Sequence, residues 1–246
     1  MKRVWMLNHY AQEPGRPGGT RHYSLARHLR QHGWDATIIA ASVEHKTGRQ
    51  RLDAGETQKV ESYDGVRFLW VRTSTYSGNG FDRIRSMLQY AFNVPRAVRS
   101  TELEAPDVVI GSSVHPLAAW AGARLARRYN VPFIFEIRDL WPQTLIDMGS
   151  LPEKGPLTSI LRKLEKALCD RANKIITLLP LASRYLSRYG IPEERIVWIP
   201  NGVDLGSYPE PSPPVERQPV TMMYFGAHGS ANGLNNILSA MDVVQQ

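Results

Sequence analysis

The chain has a single cysteine, Cys169, among its 246 residues. An internal disulfide or a cysteine-built zinc cluster is therefore excluded, and the thiol usage suits a reducing cytoplasm. Cys169 falls near the apolar face of a helical stretch, LRKLEKALCDRA, and reads as a small buried residue rather than a nucleophile. Long hydrophobic runs are also missing. The longest mostly apolar stretch, HPLAAWAGARLA, is short and carries Arg124, so no segment is expected to span a bilayer. No signal peptide is read at the start, where MKRVWML passes directly into NHY. The dinucleotide fingerprint G-x-G-x-x-G, the Walker A loop and the G-x-S-x-G elbow are all absent. So are the cysteine and histidine spacing of zinc fingers and the basic-aromatic signatures of RNA-binding modules, which argues against a nucleic-acid partner. His28 and His32 stand one helical turn apart, but no carboxylate or third histidine joins them at ligand spacing, and no metal site is expected.

What is present is a globular composition, 42% hydrophobic and 22% charged, with a net charge of +7. That excess favours an anionic partner without choosing among phosphorylated metabolites, nucleic acid and acidic lipid. Apolar, β-rich runs recur at RVWML, ATIIAA, VRFLWV, DVVIG, PFIFEI, KIITL, RIVWI and VTMMYF. Most are separated by helical stretches. TRHYSLARHLRQHG ends at Gly33, and PLASRYLSRYG ends at Gly190. In GPLTSILRKLEKALCDRAN, residues Leu157, Ile160, Leu161, Leu164 and Leu168 share one helical face. Alternation of this kind predicts an α/β fold, a mostly parallel sheet with helices on both faces.

Ligands of such sheets sit beyond the carboxyl ends of the strands, so the loops there carry the candidates. PGRPGGT places Gly18 and Gly19 ahead of a helix start near Thr20. They serve either as a close-approach site for an anion or as a plain turn. His115, in GSSVHPLAAW, could hydrogen-bond a hydroxyl or move a proton, against the plainer reading of a helix cap or a satisfied loop histidine. Arg138 and Asp139, in FEIRDLWPQ, follow another strand with Glu136 close by. They form either a structural salt bridge or part of a binding site.

Five segments in order, GRPGGTRHYSLARHL, SSVHPLAAWAG, FEIRDLWPQT, ANKIITLLPLASRYLSRYGIPEERIVWIPNGVD and YFGAHGSANGLNNILSAM, together resemble the family-four retaining glycosyltransferases of GT-B architecture. The similarity is greatest to the bacterial subgroup that adds amino sugars during O-antigen, capsule or exopolysaccharide assembly. It implies a Rossmann-like acceptor-side domain over residues 1–200, a linker over 201–219 and the first strand and helix of a donor-binding domain over 220–246. It implies transfer of an N-acetylamino sugar from a UDP-sugar to a lipid-linked or glycan acceptor, with no metal or other cofactor. His115 corresponds to the family's central histidine, which contacts the donor sugar. By the same resemblance Gly18 and Gly19 lie near donor phosphates and acceptor, and Arg138 and Asp139 line the acceptor side. Asn201 and Gly202 belong to the interdomain crossing, and Gly226 to the donor-side glycine loop. Ala231 and Asn232 stand where many relatives carry a lysine, which weakens the carry-over of donor contacts. The missing remainder of the donor domain implies a truncated enzyme that does not transfer sugar by itself. The other readings are a non-catalytic acceptor- or partner-binding remnant and a different nucleotide-using α/β enzyme. Against the last stands the missing dinucleotide fingerprint.

FDRIRSMLQYAFNVPRAVRS bears on location. Arg83, Arg85, Arg96 and Arg99 outnumber Asp82, and Phe81, Ile84, Met87, Leu88 and Phe92 can share a helical face. The stretch is either an ordinary core-facing helix or a peripheral contact with anionic lipid on the inner face of the cytoplasmic membrane.

Overall fold

A computed structural model of the chain describes residues 1–16, 20–45, 47–76, 78, 80–113, 115–207, 210, 221–226, 228–229 and 232–244. The chain divides into a unit of residues 1–203 and a smaller one of 204–246.

The first unit is built on the period-2 alternation of its strands. In β1 (Lys2–Leu7), Trp5 and Leu7 enter one core while Val4 and Met6 enter another. The same split divides Ile39 and Ala41 from Ile38 and Ala40 in β2 (Trp34–Ala41), and Leu69 and Val71 from Phe68 and Trp70 in β4 (Val66–Val71). Strands apolar on both sides are stable only when both faces are covered. Helix α1 (Arg21–Gln31) covers one face with Tyr23 and Ala26. Helices α2 (Phe81–Ser100), α3 (Pro116–Tyr129) and α5 (Pro156–Arg171) cover the other.

The eight strands run in the order β3-β4-β2-β1-β5-β6-β7-β8. The remaining ones are β3 (Gln58–Tyr63), β5 (Val108–Ser113), β6 (Phe133–Ile137), β7 (Lys174–Thr177) and β8 (Ile196–Trp198). All neighbours are parallel except β3, which pairs antiparallel with β4 at the edge. The predicted α/β sheet with helices on both faces is what forms. The chain order moves outward from β1 in both directions, so loops after β1 and β5 diverge from a switch point at the sheet's centre, where doubly wound folds hold ligands.

Two short helices, α4 (Gln143–Asp147) and α6 (Ala182–Leu186), complete the first unit. The helix stops lie where the glycines put them, with Gly33 and Gly190 at φ +79° and +70°. Cys169 is fully buried, and burial pushes its thiol up to about 12.

Helices α2 and α5 depart from the expected pattern. Met87 of α2 is buried with Tyr90, Ala91, Val94, Ala97 and Val98, which form its core stripe. Phe81, Ile84, Leu88 and Phe92 instead form a second stripe, 80, 50, 41 and 53% exposed. Leu157 and Ile160 of α5 are likewise exposed, because the core reaches only Leu164 and Leu168 toward the helix's far end.

In the second unit the described residues contain a helix, α7 (Leu234–Val244), and residues 221–225 are not a strand. A β-rich run becomes a strand only when a neighbour takes up its backbone groups, and none does so among the described residues.

Candidate functional site

Strands β1 and β5 are adjacent and parallel, with Leu7 opposite Gly111. Their carboxyl ends deliver two histidines. His9 follows β1, and His115 follows β5 as the residue before α3. Helix α3 lies unusually close to β5, because Gly111 and Gly122 face each other. A Cβ on Gly111 would sit 2.8 Å from Ala119 Cα, and one on Gly122 would sit 3.1 Å from Gly111 Cα. That close approach sets the position of the helix that His115 opens.

Both imidazoles are about 1% exposed. Their ring centroids are 4.9 Å apart at 73°, and neither ring nitrogen of either has a hydrogen-bond partner among the described residues. His115 has the extended backbone of an N-cap, but its side chain makes no cap bond, so the helix-cap reading does not account for it. Orphaned polar atoms in a core cost about 1–3 kcal/mol each. Buried groups left open in this way mark a place where a polar ligand or water completes the structure.

Aromatic and basic groups surround the pair. Tyr10 lies 4.5 Å from His9 and 5.8 Å from His115. Tyr90 flanks His9 at 4.9 Å. His45, from the loop after β2, stacks on Tyr10 at 4.3 Å, and its Nδ1 is 2.9 Å from the Tyr76 hydroxyl. Arg83, in the first turn of α2, donates from Nε to the Tyr10 hydroxyl at 2.9 Å, with its guanidinium 5.3 Å from that ring.

Burial lowers the His115 pKa to about 3, with Arg83 adding to the effect. Burial also holds His9 well below the ordinary imidazole range, reinforced by His115, His45 and Arg83. Both rings are neutral at pH 7. Each offers one donor and one acceptor, the complement of a hydroxyl group.

A second layer runs from β1 to β8 beside this pocket. Asn8 Oδ1 accepts from the Tyr10 amide at 2.9 Å, which fixes the turn carrying His9. Its Nδ2 faces His22 Nδ1 at 3.1 Å, and His22 Nε2 is 2.7 Å from Glu136 Oε2. With the Asn8 amide so oriented, His22 donates to Glu136 from Nε2. Arg21 donates from Nε to Glu136 Oε1 at 2.9 Å, from Nη1 to the Pro200 carbonyl at 2.7 Å and from Nη2 to the Ile199 carbonyl at 2.9 Å. The side chains of Arg21, His22 and Glu136 are 7, 2 and 2% exposed. Burial alone would raise the Glu136 carboxyl. His22, Ser112 and Arg21 outweigh it and hold the group well below the usual carboxylate range.

The structure treats the sequence-predicted residues unevenly. His115 and Asp139 each lie two residues past the neighbouring strands β5 and β6, which pair with Ser113 opposite Ile137. Arg138 is half-buried and Asp139 exposed, and no side-chain ion pair joins them among the described residues. The charge of that run that is paired is Glu136. Asn201 and Gly202 are exposed just past β8. Gly226 belongs to the second unit. Gly18 and Gly19 lie outside the described residues. Sequence reasoning missed Asn8 and His9, which directly follow the apolar run RVWML, and Arg21 and His22, which lie in the helical stretch TRHYSLARHLRQHG.

A doubly wound sheet with buried, unpartnered polar groups at its switch point has them where such folds hold ligands. The sequence profile of the glycosyl transferase 4-like domain matches residues 18–202. The chain belongs to that family, the GT-B glycosyltransferases of family-four type. No protein of curated function matches it. Among solved structures it is similar to a sucrose-phosphate synthase from Thermosynechococcus elongatus, at 12% identity and a TM-score of 0.52, covering 82% of this chain and 91% of that one. It is also similar to Anabaena HepE, solved with UDP-glucose (12% identity, TM-score 0.44, 84% of this chain and 45% of that one) and with UDP and glucose (14%, 0.46, 84% and 46%). The chain thus spans less than half the length of HepE. The fold is a GT-B Rossmann-like half.

Proposed function

We propose that residues 1–203 form the acceptor-side wall of a retaining glycosyltransferase. The enzyme would move an N-acetylamino sugar from a UDP-sugar to a lipid-linked or glycan acceptor in bacterial surface-polysaccharide assembly. The observation that carries this reading is the pair of neutral, unpartnered imidazoles, His9 and His115, at the switch point of a family-four sheet. Two neutral imidazoles suit hydroxyl groups, which both accept and donate. The ring-lined walls of Tyr10, His45 and Tyr76 suit the apolar face of a sugar. In this reading His115 contacts the reacting sugar. Arg138, Asp139 and the Gly18–Gly19 loop border the acceptor, and Asn201 and Gly202 begin the passage to the donor side, where Gly226 belongs to the glycine loop. No metal or other cofactor is invoked. The donor diphosphate requires its own preorganised positive groups, which we assign to a complete donor-binding domain.

Equilibrium binding to the 246-residue chain tests the proposal, with a short-chain polyprenyl-diphosphate N-acetylglucosamine as acceptor probe and labelled UDP-N-acetylglucosamine as donor. Saturable acceptor binding that is lost in His115→Ala supports it. Absence of acceptor binding in a folded chain overturns it. Turnover with retention in the same tube would place the donor groups within this chain.

Peripheral membrane binding has its own support. The exposed stripe Phe81, Ile84, Leu88 and Phe92 carries Arg85, Arg96 and Arg99 beside it, all exposed. Phe92 meets Trp120 of α3 edge-on at 5.7 Å, and Arg124 lies 4.7 Å over that indole. An apolar strip rimmed by arginines suits an anionic lipid surface. Among the described residues no helix is long and apolar enough to cross a membrane.

A further inference from the structure

The end of β8 is held by a side chain from far away in sequence. Ile199 and Pro200 are the last residues before the exposed Asn201–Val203 stretch that leads out of the first unit. Their carbonyls lie just past β8, and no backbone amide among the described residues donates to them. Arg21 occupies that role with two of its nitrogens, while its Nε holds Glu136. A planar guanidinium can make all three bonds at once, whereas an ammonium cannot match that fork.

The chain of contacts does not stop at Glu136. It passes through His22 and Asn8 to the backbone amide of Tyr10, the residue after His9. Every side chain in it is buried, so the bonds are shielded from water and each constrains the next. The Asn8 amide has no second orientation available. Its oxygen is committed to Tyr10, and its nitrogen sits between His22 and Ser112 Oγ, 3.5 Å away. At the far end the turn fixed by Asn8 places the His9 ring against His115.

We propose that Arg21 is a positioning residue. Through Glu136, His22 and Asn8 it ties the crossing segment at Ile199–Pro200 to the turn that orients His9 beside His115. Movement of the crossing segment is thereby felt at the imidazole pair, and the setting of the pair is felt at the crossing. Its use in catalysis rests on the transferase reading, while the coupling itself does not. In that reading, the device would let movement of the crossing segment adjust the setting of the imidazole pair. Energetic coupling between two sites is reciprocal, so a break at either end must register at the other.

The test uses the full chain, with hydrogen exchange at the Ile199 amide, which donates to the Thr177 carbonyl at 2.9 Å, and the ring-nitrogen NMR signals of His9 and His115 as readouts. Arg21→Lys keeps a cation beside Glu136 but removes the fork. Asn8→Ala breaks the opposite end. Arg21→Lys is expected to shift the His9 and His115 ring signals and to speed exchange of the Ile199 amide by about tenfold, the loss of roughly one net hydrogen bond. Asn8→Ala is expected to speed the same amide, although Asn8 makes no hydrogen bond to it. Exchange in β1 and β5 should stay at the wild-type rate in both, which separates coupling from general loosening. Unchanged Ile199 exchange in Asn8→Ala, or unchanged ring signals in Arg21→Lys, would overturn the proposal. If Asn8→Ala does not fold, Arg21→Lys decides alone through the ring signals. Neither readout involves a sugar or turnover, so failure here and failure of the transferase reading are told apart.

Discussion

Arg21 and Glu136 are 115 residues apart, yet their side chains meet at 2.9 Å in a site that water hardly reaches. Breaking one half of such a pair leaves a charge uncompensated. Glu136→Leu is expected to cost about 3–5 kcal/mol in urea unfolding. The double variant Arg21→Met/Glu136→Leu should cost clearly less than the sum of the two single changes. Additive losses would show that the two residues act separately.

The buried imidazoles predict a pH dependence with a defined sign. The His115 pKa is about 3 when folded against 6.5 in the ordinary state, and His9 is shifted in the same direction. The unfolded chain therefore binds more protons below pH 6.5, and stability falls as pH drops from about 6.5 toward 3. Glu136 also loses its contribution in acid, but its fall begins only near the ordinary carboxyl value of 4.5. Between pH 6.5 and 4.5 the histidines act against the carboxyls of Glu165 and Asp139, which desolvation raises and which therefore contribute with the opposite sign, so the histidine share is the difference between wild type and variant. His9→Gln and His115→Gln should each flatten that part of the curve, and an unchanged slope would contradict the assignment.

Gly111 sets how closely α3 can approach β5. Gly111→Ala forces its new methyl against Ala119 and Phe133 Cε2, 2.8 and 2.9 Å away. The expected loss is about 1–3 kcal/mol. The His115 ring signal should move as well, because α3 begins immediately after it. A shift in stability with an unmoved His115 signal would mean that the helix start is fixed by something other than this contact.

The outer stripe of α2 predicts a surface phenotype. Phe81→Ser/Phe92→Ser should leave thermal stability near wild type, since both rings are mostly exposed. It should reduce co-sedimentation with phosphatidylglycerol vesicles, and wild-type binding to phosphatidylcholine vesicles should be weak throughout. Equal sedimentation of variant and wild type with the anionic vesicles would remove the membrane reading.

Much of this architecture is legible in the residues, and the exceptions have physical causes. Every strand of the first unit except β3 stands out as an apolar run. QKVESY of β3 does not, because an edge strand buries little and needs no continuous apolar face. The antiparallel direction of β3 is equally invisible to composition. On α2 the periodicity shows apolar residues but not that two stripes share the helix, one inward at Met87, Tyr90 and Val94 and one outward at Phe81, Ile84 and Leu88. VTMMYF has strand-forming residues but no ladder among the described residues. At the site, His115 is legible from its place after a strand. His9 has the same placement after β1 and could have been found by the same rule. The Arg21–Glu136–His22–Asn8 chain is not legible, because it joins residues brought together only by the strand order β1-β5-β6.

The central claim is that His9 and His115 face the site where the transferred sugar meets the acceptor. It is tested most directly by following their ring-nitrogen NMR signals while the polyprenyl-diphosphate N-acetylglucosamine probe is added to the full chain. The account predicts that both rings shift together and saturate with one dissociation constant, and that His28 on α1 and His32 just after it, both exposed, do not move. Binding of the probe with both buried rings unmoved would contradict it.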